Sequence, residues 1–558
     1  MSLLNRRWIL KNQDSAKSVK EKLLENRGIV TSEEELEFYM EKPWEHIHDP
    51  FLMSGMEEGL TRIDQALEQH ERIVVFGDYD ADGVTSTAIL VRTLKLLGAE
   101  VSYRIPHRLK DGYSLKNYFL DELKDLGVKL LITVDNGIAA AREISYAAEL
   151  GMDIIVTDHH TPPAPEHFPK ASAILNPKIA GCAYPFKELS GAGVAMKLCE
   201  ALLAQRITDP QRRQAFLEEL YQITAIGLIA DCMLLIGENR AYVKLGLEAM
   251  KKNPLRGLAA LAEVAGVDLK NITATGVAFM IAPRLNAAGR LDSAYDALHI
   301  FLNQTDSVKA LADKLHGLNA DRRTMTDEFT IQAKAAVGTL SDDEKIVIVA
   351  SPEWNAGING LIASRLVDFY ARPVIILSEK DGMMVASCRS IPEFNIIEAV
   401  TEHASFLQHF GGHVGAAGFS LQSDRYAEFK SSIETFAREK LASYIPQAAM
   451  SVECDVLLSE LSWETFRALS VFEPFGLGNP YPVFRISDVA LEDVKHLGQE
   501  GKHLSFMVNG LKAVAFGFGH FLEELKGKRA DLAFSLEKNE WKGTASLQVR
   551  VVDMHVLP

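Results

Sequence analysis

The sequence predicts a multidomain α/β protein: a parallel-sheet domain first, a second α/β unit after it, and a small β-barrel or sandwich at the end. Three observations predict this. Between about residue 70 and residue 180, short apolar runs alternate with helix-length segments, the signature of βαβ units. The same alternation restarts after residue 340. From about residue 450, short strand-like runs follow one another with Gly/Pro turns between them.

Along the chain, residues 1–50 read as a polar, helix-prone extension with an acidic cluster at Glu33, Glu34 and Glu35. The first apolar run, Ile73-Val74-Val75-Phe76, leads into a Gly- and Asp-rich loop. A helix ending at Gly98 follows. VSYRIP, KLLITV, MDIIV and SAIL are the next strands, with a helix over AAAREISYAAEL. Residues 190–300 are mostly helical. Over 306–338, Val308, Leu311, Leu315, Leu318, Met325 and Phe329 recur at helical spacing, and one long amphipathic helix bridging two domains is expected. KIVIVA, RPVIILS and MMVASCR then read as strands, with GLIASRLVDFYA as a helix. VECDVLL, PVFRISDVALEDV, HLSFMV, AVAFGF, RADLAFSLE and SLQVRVVDMHV are the strands of the last unit.

Composition bounds the function. A chain of 558 residues is long enough for three to five domains. Its 47% hydrophobic and 24% charged residues exclude wholesale disorder. No apolar run reaches the length of a membrane span, and no secretory signal is expected at the start. Five cysteines without a CxxC pair fit a reducing, cytoplasmic compartment and argue against a cysteine zinc site. The net charge of −16 argues against an indiscriminate nucleic-acid coat protein, while leaving room for a nuclease with a local basic groove.

Three polar clusters follow apolar strands. In Asp78-Tyr79-Asp80-Ala81-Asp82-Gly83, carboxylates at alternate positions repel one another, and a divalent cation removes that penalty. A solvated acidic turn is the alternative. Val134-Asp135-Asn136-Gly137 is weak alone, since Asp before Gly is a common turn. Asp158-His159-His160 offers imidazole ligands and a carboxylate to orient one of them, or simply a polar loop. All three fall at the C-terminal ends of strands in one array, the edge where open α/β sheets bind ligands. Acids and histidines converging there make a two-metal site for in-line displacement at phosphorus, with Asp135 the carboxylate shared between the ions. Asp231 follows an apolar stretch and reads from sequence alone as a helix-terminal acid. Further along, Arg284 and Arg290 flank small residues and are suited to phosphate. Ser387-Cys388-Arg389-Ser390 and Gly411-Gly412-His413 are similar anion-binding candidates.

Taken in order, DYDADG, VDNG, DHH, IADC, RLNAAGR, SCRSIPEFN, GGHVGAAG and EPFGLGNPYPVF resemble the DHH phosphoesterase superfamily, and within it the branch that degrades single-stranded DNA from an end. The resemblance covers residues 45–555. It implies a DHH catalytic domain over 51–305, a connecting helix over 306–338, a DHH-associated domain over 339–445 and an OB-fold domain over 446–558, after the helical extension 1–50. It implies two Mn²⁺ or Mg²⁺ ions held by Asp80, Asp82, Asp135, His159 and Asp231, with His160 facing the scissile phosphate and Asp158 supporting it. Asp78 has no clear part in that set. Arg108, Tyr113, Arg284, Arg290, Ser387, Arg389 and His413 would hold the strand. The implied activity is 5′-to-3′ exonucleolytic hydrolysis of single-stranded DNA by a metal-activated water, in DNA repair and recombination. The implied protein is a cytoplasmic monomer without a membrane partner that cooperates with single-strand-binding protein and a helicase. Two departures stand out. Asn355 occupies a position usually held by His, and Cys232-Met233 interrupts a segment that is more often β-branched.

Competing readings were a small-molecule phosphodiesterase, a haloacid-dehalogenase-type phosphatase and a non-catalytic scaffold. An extended terminal β domain does not suit the first. The two-histidine clusters have no place in the second, and the intact acidic set argues against the third.

Overall fold

The computed structural model describes residues 2–29, 42–108, 110–112, 114–303, 305–498, 500–541 and 544–557. Its first strand, β1 (Arg7–Asn12), belongs with the last domain. The catalytic-domain sheet consists of β2 (Ile73–Phe76), β3 (Val101–Arg104), β4 (Leu130–Val134), β5 (Asp153–Thr157) and β6 (Ala173–Leu175). All pair in parallel, in the order β3-β2-β4-β5-β6. β2 and β4 are buried along their whole length, as parallel strands covered on both faces must be. Val74, Phe76 and Leu131 feed one core, under helices Asn117–Asp125 and Ala141–Glu149. Ile73, Val75, Leu130 and Ile132 feed the other, under helix Ala81–Leu96. Helices Gly191–Arg206 and Pro210–Ala230 pack on that helix from outside.

The chain leaves β2 toward β3 on one side and returns to β4 on the other. The strand order therefore reverses between β2 and β4, and a crevice opens there at the C-terminal edge. The amide of Asn136 fastens the two strands at this point, donating to Val134 O (2.9 Å) and Phe76 O (3.4 Å).

Helix Val308–Val337 runs for 30 residues, ~45 Å at 1.5 Å per residue. Ala312 and Leu315 near its start enter the catalytic-domain core. Met325, Phe329 and Ala333 near its end enter the core of the next domain. That domain has the sheet order β10-β11-β9-β8-β7, from β7 (Val347–Ser351), β8 (Val374–Lys380), β9 (Met383–Arg389), β10 (His409–His413) and β11 (Ala416–Gln422). Only β7 and β8 are parallel.

In the last domain, β13 (Phe484–Ala490) and β14 (Glu492–Leu497) follow β12 (Ala449–Cys454). They are two halves of one strand, interrupted at Leu491. The first half pairs with β17 (Arg529–Trp541) and the second with β15 (His503–Val508). β16 (Leu511–Ala515) and β18 (Thr544–Val556) complete the circuit, paired in parallel with each other. One broken strand pairing with both ends of the sheet closes a five-stranded barrel, the OB topology.

The expected helical extension over residues 1–50 is corrected here. β1 pairs in parallel with β12. The Trp8 indole donates to the buried Asp553 carboxylate (2.9 Å) and stacks on His555 at 4.0 Å. Helix Val19–Asn26 places Val19, Leu23 and Leu24 in the barrel core. The segment looked like a solvated extension because its strand is short, with Arg7 and Lys11 exposed, and its partner lies at the far end of the chain.

A charged cluster anchors helix Gly191–Arg206, whose first turn reaches the crevice. Lys197 is fully buried, and its Nζ donates to His48 O and Glu200 Oε2 (both 2.6 Å) and to Tyr242 Oη (3.1 Å). It also pairs with the fully buried Glu238 at 3.1 Å. Removing one partner from such a set leaves a charge uncompensated. Lys197→Ala is expected to destabilise the catalytic domain by ~3–5 kcal/mol, read as a lower urea midpoint by tryptophan fluorescence and circular dichroism.

Candidate metal centre

The rim of the crevice is built from the turns after β2, β4 and β5. Asp80 caps helix Ala81–Leu96, its carboxylate accepting from the amides of Asp82 and Gly83, both at 3.0 Å. Asp82 sits in that helix's first turn. Asp135 follows β4 directly with φ +61, a left-handed conformation that Asp tolerates better than most residues. Asp158, His159 and His160 follow β5, and Asp231 ends helix Pro210–Ala230. His159 Nε2 lies 3.1 Å from Asp135 Oδ1, 3.6 Å from Asp231 Oδ2 and 3.9 Å from Asp82 Oδ2.

Ligand atoms gather in three overlapping groups, each within 4.8 Å: Asp78, Asp80 and Asp135; Asp135, His159 and His160; Asp82, His159 and Asp231. Asp135 and His159 each belong to two. The structure thus brings together every metal-ligand candidate read from the sequence and adds Asp78, whose Oδ1 is buried without a hydrogen-bond partner.

Charge explains what this cluster is for. Burial, and then the neighbouring carboxylates, push Asp78, Asp135 and Asp231 well above the usual carboxylate range. The same causes bring Asp82 up to about 6. Burial, and then the charge of His160, lowers His159 to about 3 and keeps its ring neutral, as a ligand requires. Repelling carboxylates and a neutral imidazole are the donor set that divalent cations reward, because the ion's charge reverses the upward shift of the carboxyls and reinforces the neutrality of the imidazole. Mostly oxygen donors suit Mn²⁺ or Mg²⁺, and overlapping groups sharing one carboxylate suit two ions.

Neighbouring backbone holds the acids in place. Asp82 accepts from Ser190 Oγ (2.9 Å) and from the amides of Gly191 (2.7 Å) and Ala192 (3.1 Å), at the N-terminus of helix Gly191–Arg206. Close approach demands glycine at two points. A Cβ on Gly191 would lie 2.5 Å from Asp135 Cβ, and one on Gly227 would lie 2.7 Å from Asp82 Oδ1. Asn286 Oδ1 accepts from the Ala81 amide (2.9 Å). Asp158 takes the amides of His159 (2.7 Å) and His160 (3.0 Å) and bonds His160 Nδ1 at 2.8 Å. Burial resists the charge on both Asp158 and His160. Their mutual hydrogen bond and the opposite charges around each of them together outweigh it, lowering the carboxyl and raising the imidazole. Ser190 and Asn286 were missed in the sequence, although Ser190 ahead of a small-residue helix start is an N-cap signal. Lys178, whose charge acts on His159, Asp231 and His413, sits in no recognisable motif.

The second domain forms the facing wall. His413 lies 6.5 Å from His160, with rings nearly parallel at 15°. Ser387 and Arg389 share one face of β9. Arg290 donates to Gly357 O (2.9 Å), and burial, then repulsion from Arg108, Arg322 and Arg389, brings it down to about 9. Arg108 lies over the Tyr79 ring at 4.7 Å. Asn355 caps the turn that carries Gly357, accepting from the Gly357 amide at 2.8 Å; this position therefore shapes the carbonyl that holds Arg290. Two expected residues do not join this wall. Arg284 reaches away, to Met280 O and His316 Nδ1 (3.2 Å), because six helical positions turn it about a third of a revolution from Arg290. Tyr113 lies outside the described residues. A cavity of about 830 Å³ lies elsewhere, between the barrel and helix Gly237–Lys252.

Comparison with known proteins agrees with this layout. Residues 72–228 match the DHH family N-terminal domain, residues 343–439 the DHHA1 domain and residues 452–553 the RecJ OB domain. The chain is 37% identical to the single-stranded-DNA-specific exonuclease RecJ of Bacillus subtilis, over 99% of this chain and 71% of that one. It is 32% identical to the Escherichia coli protein of the same name, over 95% and 94%. The crystal structure of Thermus thermophilus RecJ in complex with Mn²⁺ superposes with a TM-score of 0.81 at 31% identity, over 99% of this chain and 80% of that one. The corresponding Mg²⁺ complex gives a TM-score of 0.74 at 29% identity. With the DHH, DHHA1 and RecJ OB models matched in that order and relatives of 32–37% identity covered over 71–94% of their length, the chain belongs to the RecJ family.

Proposed function

We propose that this chain is a metal-dependent exonuclease that hydrolyses phosphodiester bonds of single-stranded DNA from the 5′ end. The observation that carries the reading is the overlap of three ligand groups on Asp135 and His159, facing an arginine-lined wall. Asp78, Asp80, Asp82, Asp135, His159 and Asp231 would hold two Mn²⁺ or Mg²⁺ ions. When bound, the ions supply a water of lowered pKa and neutralise charge developing at phosphorus.

The protein's own groups do the rest. Asp158 fixes the His160 ring through Nδ1, which directs Nε2 away from Asp158 and presents it to the scissile phosphate as a donor. Arg108, Arg290 and Arg389 are half-buried side by side and repel one another, so an anionic backbone between them relieves that repulsion. Ser387 and His413 complete that wall and would hold the terminal phosphates, which sets polarity. Phosphate contacts carry no base information, so little sequence preference is expected.

The barrel would hold the strand further on. Phe484 belongs to its core, Phe475 is buried, and the Tyr481 hydroxyl is bound to Leu536 O at 2.7 Å. Half-exposed Phe516, with Arg550 at 5.8 Å from its ring, is the better stacking candidate. The same reading includes roles in DNA repair and recombination, a cytoplasmic monomer, and single-strand-binding protein and a helicase as partners.

Digestion of end-labelled single and double strands with and without Mn²⁺ tests the activity. Release from the 5′ end of single strands only, abolished by chelator, is expected; metal-independent or duplex-selective digestion refutes the reading. Asp135→Ala is expected to abolish cleavage and to weaken Mn²⁺ binding in calorimetry while leaving the circular dichroism spectrum unchanged. Full activity in that variant would remove Asp135 from the site. Gly191→Ala forces the Asp135 side chain aside and is expected to lower Mn²⁺ affinity about 10- to 100-fold, in line with the loss of other supporting contacts around metals. An unchanged isotherm would show that the close approach has no functional weight.

A further inference from the structure

Asp78, Asp80, Asp82, Asp135 and His159 follow strands of the parallel sheet, whereas Asp231 ends helix Pro210–Ala230. Cys232, next in the chain, takes a left-handed φ of +55. The amides of Cys232 and Met233 turn back to Ile229 O (3.2 Å) and Leu228 O (3.1 Å), which closes the helix. Two contacts then fix the course of the loop. The Asn239 side-chain amide donates to Leu234 O (3.1 Å) and to Glu188 O, just ahead of the Ser190 that holds Asp82. The Leu235 amide donates to Leu477 O (2.7 Å), in the segment EPFGLGNP over residues 473–480 that leads into the barrel. This segment is shaped for that contact. Gly476 and Asn479 exchange both backbone hydrogen bonds, at 2.9 and 3.1 Å. The buried Asn479 side chain donates to Phe472 O (2.6 Å) and Pro474 O (2.9 Å) and accepts from Arg27 Nε (2.8 Å). From the catalytic domain, buried Arg240 donates to Val471 O (3.3 Å) and to Glu473 O. A Cβ on Gly476 would lie 2.5 Å from Leu235 Cδ1, and Leu235 belongs to the catalytic-domain core. Domains are ordinarily joined by exposed linkers that few contacts cross. This one is closed on itself and pinned to the loop after a ligand.

We propose that residues 473–480 are a positioning element for the ligand group Asp82, His159 and Asp231, so that the last domain completes the seat of one of the two cations. Leu477 O fixes the loop after Asp231, Asn239 ties that loop to Glu188, and Ser190 carries the same constraint to Asp82. Contacts of this supporting kind orient ligands without touching the ion. Coupling between two binding events is reciprocal, so an ion at that seat also steadies the turn. The inference rests on the two-ion reading above and deepens it.

The test is Mn²⁺ titration of the metal-free full chain by calorimetry, with hydrogen exchange followed on the same samples. Wild type is expected to take up two ions. In Gly476→Ala, one ion should bind about tenfold less tightly while the other keeps its affinity. Adding Leu235→Ala to that variant makes room for the new methyl and keeps the Leu235 amide, and should bring the lost affinity back. In wild type, Mn²⁺ should slow exchange over residues 473–480 severalfold, across the domain boundary from the ion. That measurement needs no variant and decides even where Gly476→Ala fails to fold. A wild type that takes up fewer than two ions sinks the two-ion reading itself. Two ions bound equally well by wild type and Gly476→Ala, or an equal loss at both, overturns the positioning role alone. So does a loss that Leu235→Ala leaves unrestored, or exchange over 473–480 that ignores Mn²⁺.

Discussion

Carboxylates do not share a buried crevice unless something holds them there. Here, Asp78, Asp82, Asp135 and Asp231 are drawn together against their own repulsion, and the restraint is backbone. The first turns of two helices grip Asp80 and Asp82 through amide donors, and the left-handed turn at Asp135 follows β4 without a spacer. The parallel sheet supplies the rigid base, and the strand-order reversal supplies the room. The cluster is therefore preformed by the fold, with the cations completing an electrostatic balance that the protein leaves open.

The facing wall follows a complementary logic. Its cations are half-buried and mutually repelling, as the acids opposite repel one another. A phosphodiester between the two walls places its charge near arginines and its phosphorus near the acids' cations. Neither domain has this property alone. The near-parallel rings of His160 and His413 mark where the walls meet.

What the sequence revealed depended on how local each signal was. The Asp78–Gly83 and Asp158–His160 clusters were legible because alternating acids or paired imidazoles beside an apolar run have a cost on their own. Position at a strand end then joined them to Asp135, whereas Asp231, which ends a helix, entered the set only through the family resemblance. Arg284 was misjudged because six helical positions turn it about a third of a revolution from Arg290, and it meets His316 while Arg290 meets Gly357. Ser190 and Asn286 escaped notice because their work is done on partners far along the chain, Asp82 and Ala81. The N-terminal strand was invisible for the same reason, whereas the capping box at Ser18 and Glu21 beside it is entirely local.

That strand also orders the assembly of the molecule in time. Trp8 binds Asp553, 545 positions away. During synthesis, residues 7–12 must wait on the ribosome surface until the barrel they complete has emerged, long after the catalytic sheet can close on itself. A fusion placed ahead of β1 would burden the barrel first, and the two chain ends succeed or fail together in maturation.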